Sequence, residues 1–266
     1  MKKTLLTMVV LLVSATGWAS VEIDGIAYSF DKTTMQATVE AKVYSGDVVI
    51  PETVVYKDES YTVTAIGKSC FAWMSDLKSV VMPNTVTKLS SQAFYCSGLT
   101  NVTLSTGLLE IGRQAFGETN ITSIAIPDGV TIIGDYAFDN CPYLTTVSIP
   151  ASVTQIGGYA FMRLSALKDV YMYATSLPFC RDSNIYGSND SFTIHVPAES
   201  MDDYKNNYAW SELGNIVALT EDAQAGVEAL LQRGQGKSAI FDLSGRRLQA
   251  TKRGVNIIGC RKVLVN

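Results

Sequence analysis

Apolar side chains recur along the middle of the chain in fixed columns. Phe71, Phe94, Phe116, Phe138 and Phe161 stand 23, 22, 22 and 23 residues apart. Each follows a small residue: Cys70, Ala93, Ala115, Ala137 or Ala160. Five positions before each Phe lies an aliphatic: Ile66, Leu89, Ile111, Ile133 or Ile156. Five or six positions after it comes Leu77, Leu99, Ile121, Leu144 or Leu167. Three further on stands Val80, Val102, Ile124, Val147 or Val170, and two beyond that Met82, Leu104, Ile126, Ile149 or Met172. So many columns held in register over five copies define an internal repeat, and an architecture must be read from the repeat first.

Each copy reads as one structural unit. Its last two aliphatics alternate with polar residues, which is strand spacing. Pro83, Pro127 and Pro150 close three of these strands, since proline has no N–H to continue a ladder. Gly67, Gly112, Gly134 and Gly157 follow the first aliphatic, where the expectation is a turn needing positive φ; Ser90 breaks that column. One copy cannot bury its own apolar edge, so copies stack, and stability is close to a sum of nearest-neighbour terms. Burial of each Phe is expected to contribute roughly 1.5–3 kcal/mol. The predicted fold is a repeat solenoid of 22–23-residue period, mainly β with short turns and helical pieces.

A stack needs covers at its ends. Ile26, Tyr28 and Phe30 alternate, residues 31–34 turn, and Met35 to Val43 alternate again, predicting an N-terminal β-hairpin cap. Val48, Ile50 and Pro51 read as a partial repeat strand. Past the repeats, Phe192 to Pro197 predicts a last strand, and Ser200 with Asp203 a capping box opening a short helix with Tyr204 and Tyr208. Asn215 to Leu219 finishes this domain. The organisation is a leader over 1–19, a cap and partial repeat over 20–62, the solenoid with its C-terminal cap over 63–219, a polar linker over 220–236 and a small basic β tail over 237–266.

The leader has Lys2 and Lys3, a short apolar run from Leu5 to Val13, and small residues around Gly17 and Ala19. This is the pattern of a secretory signal peptide cleaved after Ala19, and the run is too short to span a bilayer. Charge divides along the chain. Residues 4–236 hold 12 basic and 24 acidic side chains, net −12, whereas residues 237–266 hold seven basic residues and Asp242, net +6. So acidic a body disfavours nucleic acid as a partner.

The run VTIIGDYAFDNCPYLTTVSIP (Val130 to Pro150) resembles the leucine-rich repeat of the Bacteroides surface protein A type. The other copies follow it, and the resemblance covers about Ser45 to Leu219. It implies a leucine-rich-repeat solenoid at the cell surface of a Bacteroidota bacterium, outside the outer membrane, and an adhesin-like role toward a host matrix or neighbouring-cell protein. The tail resembles the sorting domains read by the type IX secretion system, on Asp242, Gly245, Arg246, Gly254 and Lys262 to Val265. It can equally be a small β appendage packed on the stack.

Site chemistry is sparse. The one histidine, His195, has no Ser or Cys partner to pair with and reads as structural on the last strand. Cys70, Cys96, Cys141, Cys180 and Cys260 include no Cys-x-x-Cys pair, so zinc and redox motifs are absent and free thiols are expected. Gly236-Lys237-Ser238 lacks the first glycine of a phosphate loop, since Leu231 stands there. No catalytic residue, metal ligand or cofactor site is assigned, and the reading is non-enzymatic. Trp73, Tyr95, Tyr136, Tyr143 and Tyr159 flank the Phe column as covers of the outer turns, with sugar stacking as the alternative.

The binding candidate is the outward side of the strands. One column is Val81, Thr103, Ala125, Ser148 and Tyr171; its neighbour is Ser79, Asn101, Ser123, Thr146 and Asp169; Tyr173 lies at the end. Small, polar and nearly uncharged, this face suits an extended peptide or glycan. A protein partner is the main reading. A glycan-binding module and a structural envelope component without a ligand are the alternatives.

Overall fold

The computed structural model describes residues 10–13, 19–180, 191–211, 215–220, 240–241, 247–248, 254–258 and 261–265. The N-terminal cap is an antiparallel run of β1 (Val10–Val13), β2 (Ala19–Ile23), β3 (Ile26–Asp31) and β4 (Gln36–Glu40). The expected hairpin is β3–β4, and Ala37 and Val39 turn inward from β4 as its alternation requires. β5 (Gly46–Val49) is the partial repeat strand. A second hairpin, β6 (Thr53–Tyr56) with β7 (Glu59–Ile66), was not foreseen; Phe30 stacks on its Tyr56 at 4.7 Å. β4 pairs with β7 in parallel, which converts the antiparallel cap into the parallel solenoid.

Each turn of the solenoid then gives a front strand and a two-residue back strand. In chain order these are β8 (Leu77–Val81), β9 (Lys88–Leu89), β10 (Asn101–Thr103), β11 (Glu110–Ile111), β12 (Ser123–Ala125) and β13 (Ile132–Ile133). They continue as β14 (Thr146–Ile149), β15 (Gln155–Ile156), β16 (Asp169–Met172), β17 (Phe179–Cys180) and β18 (Thr193–Val196). Back strands pair in one parallel ladder from β7 to β17. The front ladder has two parts, β5–β8–β10 and β12 through β18, with no strand pairing between β10 and β12. At that break Val102 and Leu104 are half-buried, although Val80, Val147 and Val170 in the same column as Val102 are buried. The break separates the two copies in which the next aliphatic stands five rather than six positions after Phe.

The cap after β18 holds α1 (Met201–Asn206) and α2 (Tyr208–Ser211), and β19 (Asn215–Ala218) completes the front ladder. Tyr204 and Trp210 are buried edge to face, and the Tyr204 hydroxyl donates to the Ala174 carbonyl at 3.1 Å. Ser200 is the N-cap residue of α1, but the expected capping box does not form. Its hydroxyl instead donates back to the Pro197 carbonyl at 3.3 Å. In the tail, β20 (Ile240–Phe241), β21 (Arg247–Leu248), β22 (Gly254–Ile258) and β23 (Arg261–Val265) form a four-stranded antiparallel sheet. Gly254 opens β22 and Lys262 lies in β23. Asp242, Gly245, Arg246, Cys260 and the Gly236-Lys237-Ser238 run lie outside the described residues.

Between the two ladders runs a third, through the turns. The Phe71 N–H donates to the Ala93 carbonyl at 2.7 Å. Phe94, Phe116 and Phe138 donate to Ala115, Ala137 and Ala160, each at 2.8 Å. The rings stack directly above one another, with centroids 5.0, 5.2, 5.2 and 5.3 Å apart and planes tilted by no more than 9°. Tyr44 closes this column at 4.7 Å from Phe71, its hydroxyl held between the Ala27 N–H and the Glu40 carbonyl.

Turning each Phe inward requires left-handed backbone, but not where the glycines sit. The residues two before and two after each Phe have φ between 53° and 63°: Ser69 and Trp73, Gln92 and Cys96, Gln114 and Glu118, Tyr136 and Asn140, Tyr159 and Arg163. Such a conformation costs of order 1–2 kcal/mol for a residue with a Cβ. Hydrogen bonds from these same residues to the next turn, such as Gln92 N–H to the Arg113 carbonyl at 2.8 Å, offset it. The glycine column is needed for close approach instead, which corrects the expectation from sequence. A Cβ on Gly112 would lie 2.6 Å from the Leu89 carbonyl oxygen, and one on Gly157 would lie 2.4 Å from the Asp135 nitrogen. The glycine N–H groups donate across this contact, Gly112 to Leu89 at 2.9 Å and Gly134 to Ile111 at 2.8 Å. Ser90 makes the same bond to Ile66 at 3.1 Å.

Two substitutions test this core. Phe116→Ala should cost about 3–5 kcal/mol in denaturant unfolding, because it opens a cavity between two stacked rings. Unchanged stability would show the column to be misassigned. Gly112→Ala should cost about 1–3 kcal/mol by overpacking, whereas Ser90→Ala should be nearly neutral; equal costs at the two positions would contradict the close-approach reading.

Candidate functional site

Parallel pairing aligns the front strands so that equivalent residues stand side by side. One column runs Asp47, Ser79, Asn101, then Ser123, Thr146, Asp169, Thr193 and Asn215. The other runs Val49, Val81, Thr103, then Ala125, Ser148, Tyr171, His195 and Val217. All the residues expected from sequence in the two columns fall in these rows, and Tyr173 follows β16 on the same strand path. The rows are interrupted once, at the β10–β12 break. Asn101 is exposed and most of the others are half-buried; Ser148, in register beside Tyr171, is buried at 7% exposure. Its hydroxyl is therefore not part of an open surface, contrary to expectation.

The C-terminal end of this face is chemically distinct. His195 Nε2 lies 2.9 Å from Asp169 Oδ1, and the His195 ring stacks on Tyr171 at 4.4 Å with planes 12° apart. An ionised carboxylate can only accept, so Nε2 carries a proton, and in the neutral imidazole Nδ1 is then the acceptor. Burial is the main cause raising the Tyr171 phenol above the ordinary tyrosine range, with the Asp169 charge second. The phenol is thus held in its neutral form. His195 does occupy the last repeat strand, but it is not isolated: the register carries it to the outward column. The signal was present in the spacing, since Asp169 and Tyr171 precede His195 by roughly one repeat.

The outer turns carry the remaining aromatics. Tyr136 and Tyr159 stack on each other at 5.3 Å, with the Arg113 guanidinium over Tyr136 at 5.8 Å. Tyr95 meets Trp73 edge-on at 5.2 Å and donates its hydroxyl to Glu118 at 2.8 Å. Asp139 is buried and bound through both oxygens by Arg163 from the next turn. These groups link successive turns. Trp73 and Tyr143 stay exposed at 69% and 58%.

Among the described residues no group of three His, Cys, Asp or Glu side chains is placed to hold a metal ion. Cys70, Cys96 and Cys141 are free thiols. Burial pushes the Cys70 thiol well above its ordinary range and the Cys141 thiol up to about 11. Maleimide labelling of the folded protein at pH 8 should therefore spare Cys70 and Cys141 and reach the half-buried Cys96 first. Modification of Cys70 as fast as Cys96 would show that the stack opens.

A parallel solenoid with a strand on one side of every turn, an aliphatic frame and a shared front face is a leucine-rich-repeat fold. Residues 59–187 match the family model of the BspA type leucine rich repeat region, in six copies. The match begins at β7, whose Ile66 belongs to the first of the five copies marked by Phe, and runs on beyond the fifth. No curated protein matches the chain. Among solved structures the chain is similar to the pneumococcal vaccine antigen PcpA, at 18% identity and a TM-score of 0.57 over 72% of this chain and 52% of that one. It is also similar to the T. pallidum leucine-rich-repeat protein TpLRR, at 21% identity and a TM-score of 0.52 over 77% of this chain and 92% of that one. The chain thus spans about half the length of the PcpA structure. At these identities the likeness establishes the fold.

Proposed function

We propose that the protein is exported and displayed at the cell surface, where its front face holds a protein partner in an adhesin-like role. Residues 1–19 serve as the export leader, and the basic segment 237–266 serves in sorting or anchoring. The observation that carries the binding reading is the pair of aligned front columns. They offer a flat row of small hydroxyl, amide and methyl groups at one strand spacing per step, which fits an extended segment by many weak contacts. The match to BspA-type repeats and the likeness to PcpA, a vaccine antigen, support surface display. Among the described residues no helix is long and apolar enough to cross a membrane.

Glycan binding is the second reading, drawing on the exposed Trp73 and Tyr143. Both stand on turns outside the two front columns, so the two readings separate by mutation. Surface proteolysis of intact cells followed by a binding screen against matrix proteins and glycans identifies the partner. Asn101→Arg with Ser123→Arg should then weaken protein binding at least about tenfold without changing the thermal melt, by clash and misplaced charge. Unchanged binding moves the site off the front face, and loss on Trp73→Ala instead favours the glycan reading.

A further inference from the structure

The end of the front face has unspent hydrogen-bonding capacity. Asp169 uses Oδ1 for His195, and among the described residues Oδ2 has no protein partner. His195 gives its Nε2 proton to Asp169, and Nδ1 is likewise unpartnered. Oδ2 is an acceptor, as is Nδ1 in the neutral imidazole. Between them in the outward columns stands Tyr171. His195 covers one face of its ring at 4.4 Å. The neighbours of Tyr171 in register along the column are Ser148 and, beyond it, Ala125, both small. A carboxylate oxygen beside an aromatic ring complements a planar, positively charged group that donates.

We propose that this corner, on the reading that the front face binds a protein, is an anchoring subsite for an arginine side chain of the partner. Guanidinium is planar, stacks on tyrosine, carries five donors and no acceptor, and meets a carboxylate oxygen with a charge-assisted bond. It lies against the half-buried Tyr171 ring and donates to Asp169 Oδ2. The surroundings agree in sign, since residues 4–236 carry a net −12. Neither front column contains a lysine or arginine, and both of their carboxylates, Asp47 and Asp169, lie near the ends. A sugar hydroxyl carries no charge, so it gains less from the Asp169 carboxylate than a guanidinium does. Lys168, exposed next to Asp169 on the chain, is the charge that opposes the cation and sets how tightly it is held.

The test is fluorescence anisotropy of a labelled Thr-Thr-Arg-Thr-Thr peptide on the full chain, beside counterparts with citrulline or lysine at the centre. Arginine should bind at least about tenfold tighter than citrulline, which keeps the shape and loses the charge. Asp169→Asn and Tyr171→Ala should each remove that preference while leaving the circular-dichroism melt in place, and Lys168→Gln should tighten arginine binding. Equal affinity for arginine and citrulline, absence of arginine binding at millimolar peptide, or displacement of the peptide by neutral oligosaccharides would overturn the subsite. A partner that is lost on Asn101→Arg with Ser123→Arg, yet shows no arginine preference, leaves the front face as the binding surface and removes only this corner.

Discussion

The structure depends on one translation of about 5 Å that must satisfy three ladders at once. The back strands, the turn hydrogen bonds at each Phe and the stacked Phe rings all repeat at this step, and the rings measure it directly at 5.0–5.3 Å. Parallel strands pair at about 4.7–4.9 Å, and offset aromatic rings are comfortable at a slightly longer spacing. The two preferences nearly coincide, so a buried Phe can sit in every turn without pulling the backbone apart. The ten left-handed residues flanking the Phe column and the glycine contacts are the local adjustments that let this spacing hold.

The ends follow from the same constraint. A column of rings presents an open aromatic face at its start, and Tyr44 covers it with a hydroxyl that is fully bonded to the hairpin cap. At the other end Tyr204 and Trp210 fill the space that another turn would occupy. The front face inherits its flatness from the ladder, and its chemistry from whichever residues stand between the buried aliphatics. A surface of this kind can vary from turn to turn without disturbing the core, which places specificity in single side chains such as Tyr171 and His195 rather than in the fold.

Much of this was legible in the chain because periodicity is a translational signal. The Phe and aliphatic columns predicted strand register to the residue, and both outward columns fall where the spacing put them. The glycines misled, because a sequence does not distinguish a residue that needs φ above zero from one that needs space for a neighbouring carbonyl. Gly112 and Gln114 exchange the roles expected of them: Gln114 takes the left-handed backbone and Gly112 the close contact. His195 reads as solitary in the sequence because its strand lies beyond the last Phe copy, where the spacing stretches to 24 residues between Tyr171 and His195. The β6–β7 hairpin and the front-ladder break between β10 and β12 had no signal beyond local composition and a one-residue shorter loop.

Residue-resolved hydrogen exchange of the native chain bears most directly on the claim that the turn ladder and ring column hold the stack together. The amides of Phe94, Phe116 and Phe138 should be among the slowest to exchange, and those of Ser123 to Ala125, at the unpaired front edge, distinctly faster. Phe amides that exchange as readily as exposed turns, or a front edge protected as well as they are, would contradict it.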